Sequence, residues 1–105
     1  ERLFSAPTVR RLAQACQQYP KLPHVHVNYG MAKLAGGDGA AALAAFDRAL
    51  AMEPKHLPAL FNRAAALDSL QRHREALEAL DKLLALDPKF QPALDARPRV
   101  KARLG

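Results

Sequence analysis

The segment LPHVHVNYG at residues 22–30 places His24 and His26 two residues apart among alternating apolar residues. This period of two is typical of a half-buried β-strand, on which both imidazoles would point to one face and could bind a metal ion. On a helix, the same two side chains point about 200° apart and cannot share a metal. The secondary structure of this segment therefore decides whether the chain has a metal site.

Other residues with chemical potential favour structural roles. The GGDG stretch at residues 36–39 has neither the preceding strand nor the Gly-Lys-Ser/Thr ending of a phosphate-binding loop, so we interpret it as a turn in which Asp38 caps the next helix. We expect Cys16 to pack in the core, and His56 and His73 to be isolated, solvated loop residues. No Ser/His/Asp, Cys/His or paired-carboxylate arrangement is found. We predict no catalysis, no cofactor and no metal site.

The composition of the 105-residue chain favours helices. Ala and Leu dominate its apolar content, Trp is absent, and Val, Ile and Thr are scarce. No apolar run approaches the roughly 20 residues of a membrane-spanning helix. A single cysteine fits a reducing compartment, so we expect a cytoplasmic protein without membrane contact. The net charge of +6 comes mainly from the two ends of the sequence.

The chain contains an internal repeat of 34 residues. Residues 23–56 align with residues 57–90 without a gap and share ten identities in 34 positions. Pro20, Pro54 and Pro88 follow the same period. The identical pairs are Asn28/Asn62, Ala32/Ala66, Ala42/Ala76, Leu43/Leu77, Ala45/Ala79, Asp47/Asp81, Leu50/Leu84, Ala51/Ala85, Pro54/Pro88 and Lys55/Lys89.

A 34-residue helix–turn–helix repeat that ends in Pro resembles the tetratricopeptide repeat (TPR). Ala42 and Phe46 precede Pro54 at the family's spacing. Three positions depart from the pattern: His26 stands where Trp is usual, Arg63 where Leu is usual and Lys33 where Tyr is usual. The resemblance implies an all-α solenoid of antiparallel helix pairs. We predict six helices, over residues 7–19, 23–35, 39–52, 57–70, 73–86 and 91–104.

The repeat also predicts the organisation of the chain and the structure of the histidine segment. We expect one TPR domain, made of a partial repeat (1–22), two full repeats (23–56 and 57–90) and a terminal helix (91–105). PHVHVNYG aligns with LPALFNRA, which is typical of the start of a helix. The strand and its metal site are therefore not expected.

In TPR arrays the first helix of each repeat lines a concave groove, so the resemblance implies ligand binding there. We expect Val27, Met31 and Phe61 to be apolar residues on a face that the hairpins do not need, as is common at partner sites. The predicted groove residues are His24, Val27, Asn28, Met31, Phe61, Asn62, Ala65, Ser69 and Arg99.

Asn28 and Asn62 occupy the same place in successive repeats. An amide can donate to and accept from a peptide backbone, so the pair resembles the asparagine ladder of the TPR arrays attached to O-linked sugar transferases. The alternative is that each amide hydrogen-bonds its own helix or water. The carboxylate clamp of chaperone-binding TPR domains is not expected, because only one of its five positions matches. Those positions hold Val27, Met31, Asn62, Pro92 and Ala96.

These features favour a non-enzymatic module that binds an extended peptide segment of a protein partner. An alternative is a TPR segment of a larger glycosyltransferase- or sulfotransferase-like enzyme, used for substrate presentation or oligomerisation. A homodimer formed through the first helix is a further possibility. Nucleic acid is not expected as a partner, since the C-terminal cations surround their helix without interleaved aromatic residues; these cations are Arg97, Arg99, Lys101 and Arg103.

Overall fold

The computed structural model describes residues 5–105 as six α-helices joined by short turns, and no strand occurs in that range. The all-α prediction is confirmed, and each helix end lies within one residue of its predicted position. Residues 1–4, part of the predicted partial repeat, lie outside the described residues. The helices are α1 (Ala6–Gln18), α2 (Pro23–Ala35), α3 (Gly39–Met52), α4 (Leu57–Ser69), α5 (His73–Leu86) and α6 (Gln91–Arg103).

Local side-chain caps fix several helix starts. The Ser5 hydroxyl accepts the backbone N–H of Thr8 at 3.3 Å. The Asp38 carboxylate accepts the N–H of Ala41 at 3.1 Å, as predicted for the GGDG turn. The expectation that His56 is a solvated loop residue is wrong, because its Nδ1 accepts the N–H of Ala59 at 3.2 Å and caps α4.

The helices form a two-layered stack. Consecutive helices pack against each other from α1 to α6. In addition, α2 contacts α4 and α4 contacts α6, whereas α3 and α5 have no direct contact within the described residues. The layer of α2, α4 and α6 is therefore the more closely spaced one, and the stack curves toward it. We call the solvent-facing side of these three helices the inner surface.

The closest helix approach lies within the α2–α3 hairpin. Phe46 is fully buried, and its ring atoms lie 2.5–2.9 Å from the position that a Cβ on Gly30 would occupy. Only glycine lets the ring lie this close to the helix backbone. In the next hairpin, Ala64 corresponds to Gly30 and Leu80 corresponds to Phe46, and both are buried. Alanine is larger than glycine and leucine is smaller than phenylalanine, so the two changes compensate.

Arg63, which stands where Leu is usual, and Arg97, 34 residues later, form equivalent ion pairs. Arg63 on α4 contacts Asp47 on α3, with Nε 2.5 Å from Oδ1. Arg97 on α6 contacts Asp81 on α5 in the same way at 2.6 Å. Both pairs join one hairpin to the next helix, so Arg63 has a charged partner at the position where Leu is usual.

His26 replaces the usual Trp without losing its buried position. Its side chain is 3% exposed, and Nε2 lies 2.8 Å from the carbonyl oxygen of Pro20. That hydrogen bond satisfies a polar ring that would otherwise be costly to bury. Cys16, expected in the core, is only half-buried, and its thiol contacts the carbonyl oxygen of Val25 at 3.4 Å.

Candidate functional site

The inner surface carries the exposed residues of α2 that the sequence predicted for the groove. His24, Asn28 and Met31 are all exposed, and Met31 retains 41% of its accessible area. They lie on one side of α2 at spacings of three and four residues, so they share a face. A methionine exposed to this extent offers adaptable apolar area to a partner.

Val27 does not belong to this face. It is 5% exposed and packs in the core cluster with Phe46 and four alanines: Ala42, Ala49, Ala59 and Ala66. The prediction that Val27 lies on a face free of hairpin packing is wrong. The physical reason is that two helices cover this side of α2: α3 of the same hairpin, through Phe46, and α4 of the next hairpin.

A cavity of about 170 Å³ opens between α4 and α6. Its floor is apolar, whereas two arginines and one aspartate stand at its rim. The cavity brings together three of the predicted site residues, Phe61, Ala65 and Arg99. Its lining comprises Phe61, Ala64, Ala65, Asp68, Leu80, Ala96, Arg99, Val100 and Arg103.

Aromatic packing orients Phe61 at this cavity. Its ring lies against that of Phe90, with centroids 6.0 Å apart and planes inclined at 54°. Tilted pairs of this kind are favourable because the edge of one ring faces the π-face of the other. The contact holds Phe61 in place. The side chain is half-buried and packs against the core of the second hairpin, so the prediction that this face is free of hairpin packing is wrong for Phe61 as well, although Phe61 still lines the cavity.

Asn62 uses part of its amide within its own helix. Its Nδ2 donates to the carbonyl oxygen of Pro58 at 2.8 Å. The second amide hydrogen and the carbonyl oxygen of the side chain are left for a ligand. Asn28, one repeat earlier, is exposed. The asparagine ladder stays a prediction.

Ser69 lies at the far end of α4. Its hydroxyl donates to the carbonyl oxygen of Ala66 at 2.8 Å. It borders a shallow depression next to the α4–α6 cavity, together with Asp68, Gln71, His73 and Arg103. Ser69 therefore marks the end of the inner surface.

A charged cluster that the sequence did not predict stands between these two depressions. One carboxylate oxygen of Asp68 lies 2.5 Å from Nδ1 of His73, and the other accepts a hydrogen bond from the guanidinium of Arg103. His73 is therefore not a solvated loop residue, as the sequence suggested. The cluster joins the start of α5 to the end of α6 and fixes Arg103 at the rim of the cavity.

The histidine pair does not form a metal site. His24 is exposed, whereas His26 is buried and bonded to Pro20. Among residues 5–105, no group of three or more His, Cys, Asp or Glu side chains is arranged to hold a metal ion. Within the same range, every helix is too short or too polar to cross a bilayer.

Known structures share this fold. The first TPR domain of human RPAP3 superposes with a TM-score of 0.87 at 22% identity, over 92% of this chain and 76% of that one. The TPR domain of Arabidopsis OM64 gives a TM-score of 0.84 at 22% identity, over 90% and 78% of the two chains. The second TPR domain of human RPAP3, solved with an HSP70 peptide, gives 0.83 at 18% identity, again over 90% and 78%.

Sequence comparison assigns the family. No curated protein matches the chain as a relative. The tetratricopeptide repeat model, however, matches residues 33–103, which is more than half of the chain. The fold and the 34-residue period agree with that match. The chain belongs to the tetratricopeptide repeat family.

Proposed function

We propose that the inner surface binds an extended segment of a partner protein, without catalysis. The α4–α6 cavity carries this proposal, because it offers an apolar recess between two inner helices. Its volume suits one apolar side chain of the partner. Met31 and Asn28 continue the inner surface along α2. An extended segment advances about 3.3 Å per residue, so a few residues would reach from the cavity to these side chains.

Charge at the cavity rim favours an acidic segment. Arg99 lines the cavity, is exposed and forms no ion pair with any residue from 5 to 105. A carboxylate beside the inserted apolar side chain would pair with it. The first TPR domain of Spaghetti (RPAP3), another structural neighbour, was solved with the acidic HSP90 peptide SRMEEVD, and the second TPR domain of human RPAP3 with the HSP70 peptide SGPTIEEVD.

The mode of binding proposed here differs from the carboxylate clamp. At the clamp positions of this chain, Val27 is buried, and Pro92 and Ala96 carry no charge. We therefore place the apolar anchor at Phe61 and Ala65 and the charged contact at Arg99. The amides of Asn28 and Asn62 would hold the backbone of the partner.

A nucleic-acid ligand is not favoured by the same surface. Of the four cations on α6, Arg97 is paired with Asp81 and Arg103 with Asp68. Phosphate binding would compete with both pairs. Arg99 and Lys101 alone form too small a cationic surface for a duplex or a strand.

The test is a peptide-library selection with the wild-type domain, followed by affinity measurements on variants. Asn28→Ala, Asn62→Ala and Phe61→Ala should each weaken binding by about 1–2 kcal/mol, roughly five- to thirtyfold, as expected when a buried ligand group loses its partner. Ala65→Leu fills the cavity with a good helix former and should also weaken binding. Arg10→Ala on α1 is the matched control and should change little.

Circular dichroism must show that each variant keeps its helical content. Ligands that emerge from the selection and bind all four inner-surface variants as tightly as the wild type would contradict the proposal.

Self-association through α1 is a second proposal on partners. No residue of α1 is fully buried, although Val9 and Leu12 are apolar. Both are only half-covered in the monomer. We propose that a second copy covers this face of α1, which would give a concentration-dependent homodimer.

A further inference from the structure

A second cleft lies away from the inner surface, between α1 and α3, with α2 as its floor. Its volume is about 330 Å³. Neither α1 nor α3 contacts the other directly. The walls are built largely from small residues, among them Ala13 on α1 and Ala41, Ala44 and Ala45 on α3. We call this space the outer cleft.

The outer cleft exists because small residues line the junction of α1, α2 and α3, whereas the equivalent junction of α3, α4 and α5 has other residues. At the next junction, 34 residues later, the corresponding side chains are larger or charged, and the Asp47–Arg63 ion pair crosses it. The first junction lacks that pair. The corresponding residues are Ala13/Asp47, Cys16/Leu50, Tyr29/Arg63, Ala41/Glu75 and Ala44/Glu78.

The polar residues that line the outer cleft favour an anion; they are Arg48, Gln17, Tyr29 and His26, and the Nε2 of His26 is already bonded to the Pro20 carbonyl oxygen. Arg48 lines it and is exposed; among residues 5–105, Arg48 forms no ion pair and no acidic side chain lines the cleft. Burial raises the pKa of the Cys16 thiol, and the positive charge of Arg48 offsets part of that rise. The guanidinium therefore interacts electrostatically with a side chain that lines the cleft. The Tyr29 hydroxyl and the Gln17 amide add hydrogen-bond donors.

Size and chemistry together define a ligand class. Small-molecule sites occupy about 300–1,000 Å³ and combine apolar walls with a few placed polar groups. The outer cleft meets the lower end of that range, with alanine walls and with Arg48 as the one Lys or Arg that lines it among residues 5–105. A cationic molecule would find no acidic partner among the described residues of the cleft, and the second charge of a dianion would find no second Lys or Arg there.

We propose that the outer cleft binds a small apolar molecule with one carboxylate, of the aryl- or alkyl-carboxylate class, whose carboxylate pairs with Arg48. The apolar body lies against the alanines of α1 and α3. This site is separate from the inner surface and does not depend on peptide binding there.

Cys16 provides the readout, because it lines the cleft and is the only cysteine of the chain. Phenylacetate and octanoate are the probes, and their effect on the rate of maleimide alkylation of Cys16 is measured. We expect both to slow alkylation in a saturable way. Benzyl alcohol and octylamine, which lack the carboxylate, should not. Titration calorimetry with the same probes gives dissociation constants that do not depend on the thiol.

Matched variants separate this site from nonspecific binding. Arg48→Gln should weaken both probes by about tenfold, the loss of one charge-assisted hydrogen bond. Lys82→Gln, 34 residues later, is its control and should have no effect. Ala44→Leu should block the cleft, while Glu78→Leu, its counterpart in the next repeat, should not.

The proposal is overturned if neither carboxylate protects Cys16 or gives binding heat at millimolar concentration. It is equally overturned if Arg48→Gln binds both probes like the wild type, or if benzyl alcohol protects Cys16 as well as phenylacetate does.

Discussion

The contact between Gly30 and Phe46 allows one prediction to be worked out in detail. A Cβ on Gly30 would lie 2.5 Å from the nearest ring carbon of Phe46, far inside the 3.5–4.0 Å of a favourable carbon contact. Because the ring is fully buried, it has little room to move. In the next hairpin, Ala64 and Leu80 solve the same packing problem with the opposite choice of sizes.

The expected energies follow from these distances. Gly30→Ala gains about 1 kcal/mol of helix propensity but overpacks the core, which costs about 2–3 kcal/mol for a clash this deep, so the net loss is about 1–2 kcal/mol. Phe46→Leu alone leaves a gap and should cost about 1–2 kcal/mol. In the double variant the new methyl fills that gap. The double variant should therefore lose at most about 1 kcal/mol of unfolding free energy. This is about 2 kcal/mol less than the sum of the two single losses, which is the coupling energy between the substitutions.

The assay is urea-induced unfolding of the four proteins, followed by far-ultraviolet circular dichroism, with the slope of each transition checked for constancy. Ala64→Gly in the second hairpin is the control. It removes a methyl from a site with no ring clash and should destabilise by about 1 kcal/mol. If Gly30→Ala is neutral or stabilising on its own, or if the two substitutions are additive, the packing argument is refuted.

Three further predictions concern the Arg63–Asp47 ion pair, the proposed dimer and the histidine pair. Arg63→Leu restores the usual family residue and should change the free energy of unfolding by less than about 1 kcal/mol, because its ion pair with Asp47 is solvent-exposed. A larger loss in a urea titration would show that this ion pair holds the hairpins together. Leu12→Glu should weaken the proposed dimer, and a wild type that sediments as a strict monomer at high micromolar concentration would remove that idea. Zinc should leave the melting temperature unchanged, whereas a rise that is lost on His26→Ala would show that His24 and His26 share a metal after all.

The helices could be predicted from the sequence because the repeat supplies a second copy of each signal. LPALFNRA is plainly helical, and its alignment with PHVHVNYG outweighs the alternation that suggests a strand. Prolines in the first turns and Asp38 at its cap fix helix starts locally. Such signals act within a few residues, so one sequence contains all of them.

The site was predicted less completely because its details depend on contacts between helices. A single helix shows which residues share a face, but it does not show that α4 covers Val27. The Asp68 cluster likewise joins residues of three helices, α4, α5 and α6. The Arg63 and Arg97 ion pairs did leave a signal, since both arginines and both aspartates repeat at 34 residues.

The two asparagines of the inner surface should contribute unequally to peptide binding. The amide of Asn62 is already oriented by its bond to Pro58, so a peptide backbone that pairs with the remaining groups does not have to order it. Asn28 must lose side-chain freedom on binding, at a cost of about 0.5–1.5 kcal/mol per ordered side chain. Asn62→Ala should therefore reduce affinity more than Asn28→Ala, by up to about tenfold. The measurement is titration calorimetry with one selected peptide. If Asn28→Ala weakens binding and Asn62→Ala does not, the bond to Pro58 withdraws the second amide from the ligand. The ladder would then be limited to the first repeat.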